Sequence, residues 1–124
     1  MRGFLLDTNI LIEFLKGNKD IAEFIEREQR LFISVISIFE LLRGARDKRE
    51  RKTIKQFAGA FEVIHLTQEI SKEALTIFEG YYPRYGVGIL DSLIAASAKD
   101  RNLQLITLDR KHFAPIKEVN VWIW

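Results

Sequence analysis

The chain lacks several features that would assign it to a specialised class of protein. It contains no Cys, so disulfides and thiolate metal sites are excluded, and any metal must be held by oxygen or imidazole. No apolar run approaches the ~20 residues that span a bilayer, and the N-terminal segment has no signal-peptide arrangement. With 7 Gly and 2 Pro, it also has no low-complexity segment, linker or obvious repeat. These absences predict a cytoplasmic protein without a membrane partner.

The remaining composition is that of an ordinary globular protein. Of the 124 residues, 48% are hydrophobic and 29% are charged, so we expect a single domain over residues 1–124 with a core of its own. The formal net charge of +2 is only a weak indication of nucleic-acid binding. Basic residues crowd one stretch, which a solvated helix surface explains equally well. They are Arg43, Arg46, Lys48, Arg49, Arg51, Lys52 and Lys55.

Short apolar runs alternate with segments of helical periodicity. Strand-like runs occupy residues 3–6, 31–33, 61–66, 103–108 and 119–124, and helical patterns lie between them. One helix is expected to end at Gly80, followed by a loop over residues 81–86 and a helix that Gly88 opens. This alternation predicts an α/β sandwich with a mostly parallel sheet. In such sheets, sites form beyond the carboxyl ends of the strands.

Four carboxylates stand where strand-like segments end or helices begin: Asp7, Glu40, Asp91 and Asp109. In a parallel sheet they would converge at one edge and repel one another. At ~5 Å and an effective dielectric of ~20, each pair costs roughly 3 kcal/mol, so the cluster requires divalent cations or another compensation. The same edge carries Thr8, Asn9 and Thr107, whose hydroxyl and amide groups can orient a carboxylate or a metal-bound water.

Each acid also has a purely structural explanation. Asp7 can cap a helix, and Glu40 can complete a capping box if its helix begins at Ser37. A start at Ser34 instead puts Glu40 in the helix interior, lining a crevice. Asp91 suits the dipole of a first helical turn, and Asp109 can start the turn after a strand. Four such coincidences at one edge favour a functional interpretation.

Other kinds of site are poorly represented. His65 and His112 lack the regular spacing of a zinc motif, so each is expected to be a partly buried or surface histidine. The sequence has no Gly-x-Ser-x-Gly elbow, no phosphate-binding loop ending in Gly-Lys-Ser/Thr and no Rossmann glycine fingerprint. Catalysis by a nucleophilic Ser or Cys is therefore not expected.

The chain resembles PIN-domain proteins, specifically the VapC-like toxins of type II toxin–antitoxin systems. The resemblance rests on four blocks in the family's order, and it extends over essentially the whole length. The first is Leu-Leu-Asp-Thr-Asn-Ile-Leu-Ile at residues 5–12, and the second runs from Ser34 through Glu-Leu-Leu-Arg-Gly at residues 40–44. The other two are residues 91–98, which begin Asp-Ser-Leu-Ile, and residues 105–113, which include Thr-Leu-Asp-Arg-Lys-His-Phe.

The resemblance implies a PIN-like three-layer α/β/α sandwich and a Mg²⁺- or Mn²⁺-dependent endoribonuclease. Such toxins are usually homodimers, and a cognate antitoxin inhibits them by covering the acidic site. By position, Asp7, Glu40, Asp91 and Asp109 become the catalytic acids and metal ligands, although some relatives carry Asn in place of the last acid. The hypothesis is in-line attack of an activated water on an RNA phosphodiester, without a covalent enzyme intermediate. Candidate RNA phosphate contacts are Arg43, Arg46, Lys48, Arg49, Arg110 and Lys111.

Three rival interpretations are weaker or remain open. A phosphotransfer receiver domain would need an acidic pair after the first strand and an Asp after the third, where this chain has His65. A haloacid-dehalogenase-type phosphatase would need a second Asp at the position of Asn9. A catalytically silent PIN-like module that binds RNA or protein remains the alternative. Trp122 and Trp124 are expected on one face of the last strand, either packed in the core or available to a dimer or antitoxin.

Overall fold

The computed structural model describes residues 3–124, and five of its segments are strands. They are β1 (Phe4–Leu6), β2 (Leu31–Ser34), β3 (Glu62–Ile64), β4 (Gln104–Thr107) and β5 (Val121–Ile123). The strands pair in parallel in the order β3-β2-β1-β4-β5, which puts β1 at the centre of the sheet. The predicted parallel sheet is confirmed. The carboxyl ends of all five strands therefore lie along one edge.

Helices connect the strands and cover both faces of the sheet. They are α1 (Thr8–Leu15), α2 (Lys19–Arg27), α3 (Val35–Arg43), α4 (Lys48–Ala58), α5 (Gln68–Tyr85), α6 (Ile89–Asp100) and the short α7 (Arg110–Phe113). Right-handed crossovers through helices are the usual way to join parallel strands. Within residues 3–124, no helix has both the length and the apolar character needed to cross a membrane.

Adjacent side chains of the central strand face opposite helical layers, because side chains alternate along a strand. Leu5 belongs to an apolar cluster that includes Ile77 of α5 and Ile94 of α6. Leu6 belongs to a second cluster that includes Ile10 of α1. All five positions, Leu5 and Leu6 among them, are buried. The sheet thus lies between two apolar layers, and the expected α/β/α sandwich is confirmed.

Two strands lead directly into helices at residues that cap those helices. Asp7 follows β1 and its carboxylate accepts a hydrogen bond from the backbone N–H of Thr8. Ser34 ends β2 and its hydroxyl accepts from the N–H of Ile36, so α3 begins at Val35. Such side chains satisfy the N–H groups that a helix leaves unpaired at its start. The tight junctions bring α1 and α3 to the carboxyl edge of the sheet.

The helix expected to end at Gly80 continues to Tyr85, so the predicted loop over residues 81–86 is wrong. Gly86 ends α5 instead, with a left-handed φ of 71° that a glycine adopts easily. The helix continues across Pro83 because the last turns are held by tertiary packing. Tyr81 and Tyr85 pack against the core, and the Tyr82 ring stacks on Phe78 at 4.8 Å between centroids.

Candidate active site

Asp7 is a buried carboxylate at the centre of the carboxyl edge. It follows the central strand, and its backbone N–H donates to the carbonyl of Ile106 in β4 at 2.9 Å. Its side chain is held at both oxygens, because Thr8 N–H donates to Oδ1 at 2.8 Å and the Thr107 hydroxyl donates to Oδ2 at 2.7 Å. Only 5% of Asp7 is exposed. Asp7 therefore caps α1, and hydrogen bonds to both oxygens hold its carboxylate in one orientation.

Thr107 and Asn9 hold together the ends of β1 and β4. The Thr107 hydroxyl accepts hydrogen bonds from Asn9 Nδ2 at 3.3 Å and from the backbone N–H of Asp109 at 3.0 Å. Asn9 Oδ1 in turn accepts from the N–H of Leu108 at 3.2 Å. These polar groups lie where the sequence predicted supporting residues. These hydrogen bonds fix the backbone segments that carry Asp7 and Asp109.

Glu40 lies in the interior of α3, since that helix begins at Val35 rather than at Ser37. A capping box therefore does not explain this acid. The Thr8 hydroxyl donates to Glu40 Oε1 at 2.6 Å, and the Ser37 hydroxyl lies 2.8 Å from the same Thr8 oxygen. Because Thr8 has one hydroxyl proton, Ser37 must donate to Thr8. The two hydrogen bonds, from Ser37 to Thr8 and from Thr8 to Glu40, orient the Glu40 carboxylate.

From the sequence, Ser37 was considered only as a helix start, and its place beside the acids was missed. Ser37 is fully buried on α3, one turn before Glu40. The i, i+3 spacing of these two residues is the sequence pattern that could have indicated their proximity. Glu40 itself also lines a groove, as expected of an acid in the interior of this helix. The groove contains Ile36, Phe39, Arg43 and Leu90 besides Glu40.

Asp91 lies in the first turn of α6 and is half-buried beside the other acids. Burial raises the pKa of its carboxyl, and the negative charges of Asp109 and Glu40 raise it further, while His112 lowers it. The fully buried Ala95 follows on the next turn. These effects place Asp91 within electrostatic reach of acids on α3 and after β4.

Asp109 caps α7 and contacts a histidine. Its Oδ1 accepts from the backbone N–H of His112 at 3.1 Å, and its Oδ2 lies 2.8 Å from His112 Nδ1. The same imidazole nitrogen lies 3.9 Å from Asp91 Oδ2. One possible ligand atom from each of Asp91, Asp109 and His112 therefore falls within 4.8 Å of the others. His112 is partly buried, as predicted, but its membership of the acidic cluster was missed.

The four acids form one electrostatic unit. Burial raises the pKa of Asp7 from 3.8 to about 6, against hydrogen bonds from Thr107 and Thr8 that lower it, and the charges of Asp91 and Glu40 add to the increase. Asp91 is in turn affected by Asp109 and Glu40. Negative charge is thus concentrated at the position where the sequence predicted it.

No Lys or Arg neutralises this cluster within residues 3–124. The ion pairs there either join residues elsewhere on the surface or involve His112, so none links a Lys or Arg to the four acids. Hard divalent cations favour carboxylate oxygens, and imidazole is a further common ligand. Asp91, Asp109 and His112, whose ligand atoms lie within 4.8 Å of one another, are therefore chemically suited to a divalent metal ion. Asp7 and Glu40 add negative charge beside them.

The predicted RNA contacts are exposed but differ in their surroundings. Arg43 lines the groove that contains Glu40, and Arg110 and Lys111 directly follow Asp109. Arg46 is paired with Glu50 at 2.7 Å, so its guanidinium already has a partner. Lys48 and Arg49 are exposed in the first turn of α4. Among the candidates, Arg43 is therefore nearest in sequence to Glu40, and Arg110 and Lys111 are nearest in sequence to Asp109.

Comparison with protein-family models and known proteins gives concordant matches. The model for the PIN domain matches residues 4–119. Ribonuclease VapC10 of Mycobacterium tuberculosis is 32% identical over 119 residues, which are 93% of this chain and 89% of that protein. Ribonuclease VapC1 of Methanocaldococcus jannaschii is 28% identical over 124 residues, covering 97% of this chain and 85% of that protein.

Solved structures show the same architecture. DNA-bound VapBC from Salmonella typhimurium has a TM-score of 0.86 at 29% identity and covers 100% of this chain and 99% of that chain. VapBC-1 from nontypeable Haemophilus influenzae has a TM-score of 0.83 at 26% identity, covering 98% and 97%. The similarity in sequence and in structure therefore extends over nearly the whole chain.

Proposed function

The chain belongs to the PIN-domain family, and from that premise we propose that it is a metal-dependent endoribonuclease, the toxin of a type II toxin–antitoxin pair. The observation that carries this proposal is a cluster of four acids that no Lys or Arg neutralises within residues 3–124. The relatives from Mycobacterium tuberculosis and Methanocaldococcus jannaschii are named ribonucleases. The catalytic and metal-binding residues in this proposal are Asp7, Glu40, Asp91 and Asp109.

Mg²⁺ or Mn²⁺ is the proposed cofactor, held by these four carboxylates. A bound divalent cation supplies Lewis acidity, which favours ionisation of water and neutralises charge on a phosphate. The pKa of Asp7 and the pKa of Asp91 are both raised, chiefly by burial and further by the negative charges of the neighbouring acids. A cation relieves that repulsion, so the folded cluster favours cation binding.

The chain's own residues supply positioning. Thr8 and Thr107 hold Glu40 and Asp7 through their hydroxyl groups, so the carboxylates do not reorganise when substrate arrives. Asn9 fixes the backbone after β4 through Leu108. In the proposed reaction a water would attack the phosphorus in line and give up its proton to one of these carboxylates. The bond from phosphorus to the leaving ribose oxygen would break on the opposite side, and that oxygen would take a proton from solvent. No side chain is required as a nucleophile.

RNA is the proposed substrate, bound through its phosphates by the exposed cations around the cluster. A centre of four acids repels a polyanion, so phosphate binding requires compensating positive charge nearby. Arg43 is the first candidate because it lines the groove beside Glu40. The remaining candidates are Arg46, Lys48, Arg49, Arg110 and Lys111.

A cognate antitoxin and a second copy of the chain are the proposed protein partners. The solved relatives from Salmonella typhimurium and Haemophilus influenzae are VapBC proteins. For the homodimer we propose an apolar face along α5 and α6, formed by Leu75, Phe78, Tyr82 and Ile89. Leu75 and Ile89 are 67% and 66% exposed, and they line one surface depression together with Phe78, as expected of an apolar patch that a partner covers.

The test is cleavage of single-stranded RNA by the purified protein. We expect cleavage with Mg²⁺ or Mn²⁺, complete loss with EDTA, and recovery when the cation is restored. Asp91→Asn, checked for folding by circular dichroism, should lose activity because one acidic ligand is gone. A wild-type protein that binds RNA but never cleaves it with either ion would support the silent binding module instead.

A further inference from the structure

His112 is the one imidazole that lies among the proposed metal ligands. Its Nδ1 is 2.8 Å from Asp109 Oδ2 and 3.9 Å from Asp91 Oδ2. The spacing Asp-x-x-His across the start of α7 puts Asp109 and His112 on the same side of that helix. The other histidine, His65, is exposed after β3 and does not belong to the cluster.

We propose that His112 is a direct ligand of the cation, through Nδ1, and that it shifts the preference of the site from Mg²⁺ towards first-row transition ions. The inference rests on the proposed metal-dependent function, since it assigns a ligand of that same site. Because an ionised carboxylate can only accept, Nδ1 carries the proton whenever it is hydrogen-bonded to ionised Asp109. Ligation requires that Nδ1 carry no proton, and the ring's single proton then resides on Nε2.

The geometry permits one ion to contact all three side chains. Ligand atoms of Asp91, Asp109 and His112 lie within 4.8 Å of one another, and all three residues are only partly buried, so an ion and water can reach them. No Lys or Arg in the described chain pairs with Asp91 or Asp109, whose only ion-pair partner there is the imidazole.

The chemical consequence is selectivity. Mg²⁺ strongly prefers oxygen ligands and water, so an imidazole adds little to its affinity. First-row ions bind nitrogen better, in an order that rises from Mn²⁺ through Co²⁺. A site of carboxylates alone would discriminate weakly between these ions. A site with one imidazole should therefore bind Co²⁺, and to a lesser degree Mn²⁺, more tightly than Mg²⁺.

Calorimetric titration of the full-length protein with Mg²⁺, Mn²⁺ and Co²⁺ tests the selectivity. His112→Asn is the informative variant, because its amide can still donate to Asp109 from near the position of Nδ1 but offers no imidazole nitrogen. We expect His112→Asn to reduce Co²⁺ affinity by about tenfold or more and Mg²⁺ affinity much less. His65→Asn is the matched control and should change neither affinity.

Proton NMR of the Co²⁺-loaded protein tests the contact itself. A ligated His112 should give one hyperfine-shifted, exchangeable Nε2–H signal that vanishes in D₂O, persists in His65→Asn and is missing in His112→Asn. If His112→Asn keeps the same ratio of Co²⁺ to Mg²⁺ affinity and no such signal exists in the wild type, the ligand assignment is wrong, and His112 only positions Asp109. If the wild type binds none of the three ions, the metal-dependent function itself fails.

Discussion

The Thr107 hydroxyl donates to Asp7 Oδ2 at 2.7 Å across a sequence separation of 100 residues. This hydrogen bond joins the ends of β1 and β4 at the acidic cluster. It also lowers the pKa of Asp7 against the larger effect of burial. Thr107 thus supports both the charge and the position of an acid that we propose to be catalytic.

Thr107→Val should destabilise the protein and weaken its activity. The substitution keeps the shape of the side chain but leaves Asp7 Oδ2 without its donor, and Asn9 Nδ2 and the Asp109 N–H without their acceptor. Because these groups lie in or beside the core, we expect a loss of about 1–3 kcal/mol in unfolding free energy. Urea denaturation measures it. Thr107→Ser retains the hydroxyl and should remain near the wild type; equal losses in both variants would contradict this role.

The stability of the metal-free protein should depend on pH through Asp7. The pKa is about 6 when folded and near 3.8 when unfolded, so the folded state binds this proton more tightly between those values. Its contribution to stability is full below about pH 4 and is lost as pH rises through about 6. At about 1.36 kcal/mol per pKa unit, the loss by pH 7 is roughly 3 kcal/mol.

Asp7→Asn isolates this effect, because the amide does not titrate. The difference in unfolding free energy between wild type and Asp7→Asn, measured with EDTA present, should shift in favour of the variant between pH 4 and pH 7. Mg²⁺ or Mn²⁺ at pH 7 should reverse part of the shift by stabilising the wild type more than the variant, which has one acid fewer in the cluster. A difference in unfolding free energy that stays constant with pH would show that the pKa of Asp7 is not raised in the folded protein. The variant should also lack RNA cleavage.

Arg43→Ala should weaken RNA binding without preventing cation binding. Arg43 lines the groove beside Glu40, and a lost phosphate contact reduces the number of counterions that binding releases. For single-stranded RNA we expect the slope of log K against log salt to become shallower by about 0.7. Fluorescence anisotropy at several salt concentrations, with a catalytically inactive background such as Asp91→Asn, measures it. Arg51→Ala, an exposed cation of α4 outside the candidate set, serves as the control.

Ile89→Asp should convert the proposed homodimer to monomers. Ile89 is 66% exposed at the start of α6, and a carboxylate there would be buried against apolar side chains of the second copy. Because the residue is exposed in the single chain, folding should be unaffected. Sedimentation equilibrium gives the molar mass. Leu66→Asp, an exposed position after β3, should leave the mass unchanged; a wild type that is already monomeric would refute the dimer.

The acidic cluster could be predicted from the sequence because its position follows from the order and direction of the strands. A short apolar run that ends in Asp7 or Thr107 signals a buried parallel strand, and all such ends meet at one edge. The choice between a capping role and a functional role was harder, since Asp7 and Asp109 in fact cap helices as well. For Glu40 the start of α3 decided the matter, and only the structure located that start at Val35.

The remainder depended on tertiary contacts that a linear pattern does not encode. Gly80 and Pro83 are reasonable signals for a helix end, but α5 continues because Tyr81 and Tyr85 pack on the core. His112 has no regular metal-binding spacing, and its two acidic neighbours come from α6 and from the end of β4. Trp122 and Trp124 both pack on the ring of Phe24, at 5.6 Å and 5.5 Å, while Trp122 remains 40% exposed, so their use by a partner stays a prediction.

The central place of β1 has a consequence for synthesis on the ribosome. Its neighbour on one side, β2, follows within thirty or so residues, as an ordinary crossover requires, whereas β4 on the other side ends at Thr107. A nascent chain that does not yet include β4 already contains Asp7, Glu40 and Asp91. It still lacks Asp109 and the second strand that pairs with β1. The central strand therefore gains its second neighbour, and the cluster its fourth acid, only after the chain has been made through Asp109.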